Sequence, residues 1–295
     1  MDFKDFSIKD DERYLPYAVS SAELPSDLYP EVLRAYREND GIRRAYAEDL
    51  CWHIAMRDGQ EVWFPPVGDW NGKDWADIFN RCVPSGTQFT YVPEPLVQAW
   101  QESMPDRIAI TERRDDWDYV LDTHRMSNMG GKTYSRIRVK VHRFERDFVH
   151  SLEGITSDNL SDMLAFHRQA EDEVMNDNGN PEEAIAENKA FNYTVEHWGE
   201  NDRLFGILLR VDGKVVGYFI DELMPDGRSV CIYAKADYSY TGITSFLYHK
   251  DALMETEHGV NTVNIMSDVG VINMRNAKND LRPSKMIVKY DVKVL

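Results

Sequence analysis

Residues 204–236 constrain this chain most. Three apolar, β-prone runs, 204–211, 214–223 and 229–236, are split by Asp212-Gly213 and by Pro225-Asp-Gly227. Asp-Gly between such runs is a hairpin signal, because the tight turn needs positive φ at its centre. Three successive antiparallel strands are therefore expected, joined by short turns.

The flanking sequence supplies helices around this meander. A strand is predicted over 148–155. Ser157 then offers a cap to a helix over 158–174, with Leu160, Met163, Leu164 and Phe166 on its apolar face. Asn178-Gly-Asn-Pro181 ends that helix and opens another over 184–198, with proline at a favoured first position. After the meander come a helix over 242–258, a strand over 262–266, a short helix over 269–279 and a closing strand over 286–295. The order β-α-α-β-β-β-α-β-α-β is that of an N-acetyltransferase-like fold, a mixed α/β (α+β) class with a twisted sheet flanked by helices. In such a sheet, ligands collect where strands end and helices begin.

The first half repeats the scheme less clearly. Helices are predicted at 26–36, 75–82 and 96–104, and strands at 52–56, 61–64, 88–91 and 107–111. Asp58-Gly59 is a second hairpin signal. Two tandem domains of one type are expected, 1–147 and 148–295, the first including a basic connecting segment.

That segment reads Gly130-Gly-Lys132-Thr-Tyr-Ser-Arg136-Ile-Arg138-Val-Lys140-Val-His-Arg143-Phe-Glu-Arg146. Six Lys/Arg and one acid fall between Lys132 and Arg146 in a chain of net charge -17. Tyr134, Ile137, Val141, Phe144 and Phe148 recur at helical spacing, and Lys132, Arg136, Lys140 and Arg143 form a second, basic stripe. Residues 137–141 also fit an alternating strand. Such a stripe is either a solvated helix face or a clamp for phosphate or carboxylate, which arginine binds bidentately.

Composition narrows the rest. With 42% hydrophobic and 12% aromatic residues the chain can build cores. Its acidity repels polyanions at long range, which argues against general DNA binding but not against a local basic groove. Cys51, Cys82 and Cys231 show no paired spacing and are expected to be buried, reduced thiols. The charged first twelve residues do not resemble a signal peptide. Arg210, Asp212 and Lys214 interrupt the most apolar stretch, so no integral membrane segment is expected. A soluble, cytoplasmic protein follows as the expectation.

The candidate chemistry lies at strand ends. Lys235 leaves the third strand of the meander beside Asp237, and could hold a phosphate, polarise an acyl ester or pair with a carboxylate. Asp268 stands before a helix, as a cap or as a group that orients an attacking amine or takes its proton. Arg275 and Lys278 follow on that helix. Tyr240 and Gly242 lead into another helix whose free amides could receive an anion, although a single glycine is little for a pyrophosphate cradle. No G-x-S-x-G, P-loop or H-E-x-x-H pattern occurs, and the eight histidines show no metal spacing, so no metal site is nominated.

Several short pieces, in order, resemble the C-terminal domain family of phosphatidylglycerol lysyltransferases. They are Trp117-Asp-Tyr119-Val, Gly131-Lys132-x-Tyr134-x-Arg136-x-Arg138 and His142-Arg143-Phe144 in the first half. In the second they are Lys235-Ala-Asp237, Tyr240-x-Gly242, Asn264, Asp268-Val-Gly270, Arg275-x-x-Lys278, Pro283 and Lys289-Tyr290. The resemblance implies tandem N-acetyltransferase (GNAT-type) domains and transfer of an aminoacyl group from aminoacyl-tRNA to an amine or hydroxyl. It implies that Lys132, Arg136, Arg138, Arg143 and Lys235 face donor phosphates or an anionic acceptor, and that Asn264, Asp268, Arg275 and Lys278 line the reaction cleft. This chain departs from the family pattern at Ala234, where Glu is usual, at Met266-Ser267, and at Asn273-Met274. With no membrane region in view, the expected acceptor is a small molecule or peptide rather than a lipid. Two other readings stay open: an acyl-CoA-dependent N-acyltransferase, and a binding module of the same fold that has lost catalysis. No cofactor beyond the donor is implied.

Overall fold

In the structure, a computed structural model, every residue is described except Asp58 and residues 177–180, and for 171–176 and 181–184 only the backbone is described. The Asp58 turn and the helix break read at 178–181 therefore fall outside the described residues or side chains.

Along the chain run α1 (Asp11–Ser20), α2 (Pro30–Asp40), β1 (Arg43–Ala47), β2 (Leu50–Arg57), β3 (Gln60–Trp63), α3 (Trp75–Cys82), β4 (Gln88–Pro93), α4 (Glu94–Ser103) and β5 (Ile108–Glu112). There follow β6 (Asp118–Asp122), α5 (Thr123–Asn128), α6 (Ser135–Asp147), β7 (His150–Gly154), α7 (Leu160–Asn176), α8 (Pro181–Glu196), β8 (Leu204–Val211), β9 (Lys214–Leu223) and β10 (Arg228–Ala236). The chain closes with α9 (Ile243–Glu257), β11 (Thr262–Asn264), α10 (Ile272–Asp280), β12 (Lys285–Ile287) and β13 (Lys289–Val294). Among the described residues the strands form two mixed sheets flanked by helices, ordered β1-β2-β3-β4-β13-β5 and β12-β6-β11-β10-β9-β8-β7. The α+β class with N-acetyltransferase-like order is thus the fold adopted.

The chain divides into two compact units. The first comprises Met1–Asp118, Ser267–Val271 and Met286–Leu295, and the second Tyr119–Met266 and Ile272–Lys285. This differs from a single cut near Asp147. Residues 119–147 lie with the second unit because β6 pairs with β11 and the apolar face of α6 packs on α9. The expected strand over 286–295 is two strands, and the longer, β13, lies between β4 and β5.

The first unit is built on aromatic packing. Trp52, Trp63, Trp75, Phe79, Phe89 and Trp100 are all buried, with Phe79 and Phe89 each 4.9 Å from Trp100 between ring centres. Alternate residues of β13, Val292 and Val294, join that core. Local rules set its helices. Pro30 opens α2 and Gly41, at φ 58°, closes it in the left-handed conformation. Asp74 accepts a hydrogen bond from the Asp77 amide at 3.0 Å and caps α3.

In the second unit β7, β8, β9 and β10 form an antiparallel meander, and β10 pairs in parallel with β11. The hairpin reading at Asp212-Gly213 holds, with φ of 47° and 78° at the two positions. The basic segment is helical. Ile137, Val141 and Phe144 on α6 are buried, and Phe144 stacks on Phe246 of α9 at 4.4 Å. The seven-residue span of these anchors fits a helix face and would put them on both faces of a strand.

Candidate functional site

In the second unit β10 and β11 run side by side only over Arg228–Val230 and Thr262–Asn264. Beyond that point β10 continues on β9 alone to Ala236, with a register shift between Cys231 and Tyr233. The chain after β11 turns away, with Met266 at φ 59°, and Ile265 N donates to the Tyr119 carbonyl. The two strands therefore part at their carboxyl ends, the position where open α/β sheets receive ligands.

Lys235 lies on the free part of β10. Its Nζ is 2.9 Å from Oε1 of Glu187 on α8, and the lysine side chain is 18% exposed. Its cross-strand neighbour is Tyr218, whose hydroxyl lies 2.6 Å from Nδ1 of His167 on α7. His167 Nε2 is 3.1 Å from Oδ1 of Asn188, next to Glu187. An amide oxygen only accepts, so His167 donates from Nε2 and accepts the Tyr218 proton at Nδ1. Phe191 stacks on the imidazole at 3.5 Å and 8°, which fixes the ring plane. Ammonium, carboxylate, phenol and imidazole are thus carried by neighbouring positions of β10, α8, β9 and α7.

Sequence reasoning nominated Lys235 and missed Glu187, His167, Tyr218 and Asn188. The signal was present for one of them. His167 continues the buried stripe of Met163 and Phe166 on α7, where a polar residue calls for a partner.

The other nominated residues divide by partner. Asp268 belongs to the first unit and is fully buried. Its Oδ2 accepts from Arg114 Nη1 at 3.1 Å and its Oδ1 from the Gly270 amide at 3.0 Å, so it organises its own loop. Asn264, 3% exposed, accepts from the Met266 amide at 2.8 Å. Lys278 donates to the Ile265 carbonyl at 2.6 Å and lies over the Tyr119 ring. These two hold the turn that carries the chain away from β10. Arg275 is half-buried on α10.

Arg138 is turned back onto the loop before α6 and donates to the carbonyls of Met129 and Gly131. Lys132 and Arg136 are exposed. Arg136 and Lys140, with Ser135 and Val139, line a shallow depression of about 360 Å³ on the outer face of α6. Lys140 pairs with Asp280 at 3.2 Å and Arg143 with Asp147 at 3.4 Å. Tyr240 packs edge-on to Phe148 at 5.0 Å. A Cβ on Gly242 would stand 2.5 Å from the Lys140 carbonyl oxygen, so only glycine, here at φ 94°, lets α9 start there. The close approach of the Lys140 carbonyl fixes where α9 starts against α6.

No helix among the described residues is long and apolar enough to cross a membrane. The family model described as phosphatidylglycerol lysyltransferase, C-terminal, matches residues 35–292. No curated protein matches the chain. Among solved structures, a conserved protein of unknown function from Bacteroides thetaiotaomicron superposes with a TM-score of 0.88 at 20% identity, over 99% of each chain. FemX superposes at 0.66 and 10% identity, over 100% of this chain and 98% of that one. L-PGS from Bacillus licheniformis superposes at 0.59 and 14% identity, over 92% and 94%. At these identities the likeness is one of fold.

Proposed function

The chain belongs to the phosphatidylglycerol lysyltransferase C-terminal family, whose model spans most of its length, and on that premise we propose that it is an aminoacyl transferase. In this reading an aminoacyl-tRNA is the donor and an amine or hydroxyl is the acceptor. The observation that carries it is the Lys235–Glu187 pair at 2.9 Å on the part of β10 that has left β11.

The chemistry asks little of the protein. The acceptor attacks the ester carbonyl, a C–N or C–O bond forms, the ester C–O bond breaks, and the acceptor proton ends on the departing ribose hydroxyl. Alignment can supply about 7–11 kcal/mol of such a barrier. The Lys235 ammonium is the group for the tetrahedral oxyanion. Glu187 is the carboxylate for the acceptor proton, supplying an acid beside Lys235 in a chain that carries Ala234 at the family's usual Glu position.

The exposed cations of α6 support a polyanionic donor. The test is transfer from a panel of charged tRNAs, and from acyl-CoAs, to amine and hydroxyl acceptors. Turnover from charged tRNA supports the reading. Turnover or thermal stabilisation by CoA alone replaces it with the acyl-CoA enzyme. Donor binding without transfer leaves the lapsed module.

A further inference from the structure

A second group of side chains in the second unit takes no part in that chemistry. Asp221 on β9 and Cys231 on β10 are cross-strand partners, and Asp251 on α9 lies against them. One carboxylate oxygen from each aspartate and the cysteine Sγ all lie within 4.8 Å of one another. All three residues are sealed from solvent, at 0%, 4% and 1% exposure for Asp221, Cys231 and Asp251. Neither oxygen of Asp221 nor of Asp251 has a hydrogen-bond partner. One turn along α9, Glu255 is also buried. Its Oε1 accepts from the Ser229 hydroxyl, and its Oε2 is unpartnered.

Buried carboxylates without donors are expensive, because desolvation of each charge is uncompensated. Burial pushes the Asp221, Asp251 and Glu255 carboxyls well above the usual range, and pushes the Cys231 thiol up as well. Protonation alone would neutralise them. A proton shared by Asp221 and Asp251 and a Cys231 thiol hydrogen bond to Asp221 would satisfy only some of the cluster's lone pairs. A divalent cation would satisfy several lone pairs at once.

We propose that Asp221, Cys231 and Asp251 form a structural zinc site that ties α9 to β9 and β10. The set combines two hard carboxylate oxygens with one soft sulfur. Calcium and magnesium take all-oxygen sets, whereas thiolate in the set favours zinc. Zinc would hold oxygen at about 2.0–2.2 Å and sulfur at about 2.3 Å, a modest contraction of the present grouping. Binding forms one Zn–S and two or more Zn–O bonds and releases the thiol and carboxyl protons to solvent. The site falls at the register shift between Cys231 and Tyr233, next to the point where β10 and β11 part. An ion there would pin α9 against β9 and β10 beside that point.

The experiment uses the full-length chain purified without chelator. Elemental mass spectrometry should find about one zinc per chain. Chelation should lower the melting temperature, and zinc chloride should restore it. Cobalt(II) in place of zinc should give thiolate charge-transfer absorption, absent from Cys231→Ser. Asp251→Asn, close in shape, should fold and bind zinc more weakly by at least about 100-fold, beyond the effect typical of an outer-shell change. A wild-type chain that holds no zinc and is not stabilised by it would overturn the site and leave a proton-sharing acid cluster. Equal zinc binding by Cys231→Ser and Asp251→Asn would overturn it too, by moving the metal elsewhere.

Discussion

Nζ of Lys289 lies 2.7 Å from Oδ1 of Asp118, with both side chains closed to solvent. The same ammonium reaches Asp27 at 2.6 Å. The Ser26 amide and hydroxyl each donate to Asp118 at 2.8 Å. Both residues belong to the family-like pieces Trp117-Asp-Tyr119 and Lys289-Tyr290, so a pair distant in sequence and read as family signature is here a buried ionic anchor for β13. Burial alone would lower the Lys289 pKa, but Asp118 and Asp27 together raise it. Removing the cation should leave two acids uncompensated. Lys289→Met is expected to cost about 3–5 kcal/mol by urea unfolding. The double variant with Asp118→Asn should lose less than the two single losses added, as a coupled pair requires.

Acid should weaken the fold through a buried histidine. His53 accepts from Arg44 Nε at 2.9 Å and is fully buried. Burial first, and Arg44 second, hold its pKa well below the ordinary value of 6.5. The unfolded chain therefore takes up a proton near pH 6.5 that the folded chain refuses. Stability is fully present above that pH and declines as pH falls through it, by up to about 1.4 kcal/mol per pH unit for one group. His53→Gln keeps an acceptor for Arg44 and cannot titrate. Its stability between pH 7 and 5 should fall less steeply than that of the wild type, and an unchanged slope would remove His53 from the account.

Gly242→Ala should be more damaging than a usual surface change. It adds a Cβ 2.5 Å from the Lys140 carbonyl and forces alanine to φ 94°. Strain of this type costs on the order of 1–3 kcal/mol before any clash is relieved. Chemical denaturation measures the loss. Gly131→Ala is the control, since nothing lies within 4 Å of its added Cβ although its φ is 74°.

The basic helix should separate into binding and structural cations. Arg136→Ala and Lys140→Ala should each weaken charged-tRNA binding and reduce the slope of log affinity against log salt by about 0.7–0.9. Arg138→Ala should instead lower stability by about 1–3 kcal/mol, since its guanidinium holds the Met129 and Gly131 carbonyls. Equal salt slopes for all three variants would contradict this division.

Transfer itself should depend on the pair at the free end of β10. Lys235→Met is expected to lower kcat by about 10²–10³ with a smaller change in KM, as for loss of an oxyanion donor. Glu187→Gln should lower kcat with little change in KM, whereas a purely structural role would show as a loss of stability with kcat intact.

The second half of the fold was largely legible from residues. Asp212-Gly213 and Pro225-Asp-Gly227 place the hairpins where they are found, and helix 75–82 in the first half matches α3 residue for residue. Helix α1 and strands β1 and β6 carried no comparable punctuation and went unread. The candidate site was legible only in part. Lys235 stood out as a charge at a strand end. Glu187, in contrast, meets a lysine more than forty residues further along the chain, and Asn188 meets His167 from a different helix. The cluster of Asp221, Cys231 and Asp251 likewise draws on three elements, with no spacing that a motif could capture.

Local turn chemistry and side-chain period are properties of neighbours in the chain, so the sequence by itself determined the meander and the helices around it, their order, and the acidic, aromatic-rich character of the protein. Which cations bind backbone and which face solvent was decided only by tertiary structure. Arg138 and Arg136 are two residues apart on one helix, yet the first is held by the Met129 and Gly131 carbonyls and the second lines an open depression. The same holds for β13, whose valines read as a strand anywhere. Their place between β4 and β5 is chosen by an apolar core and a buried Asp118 that only the folded chain assembles.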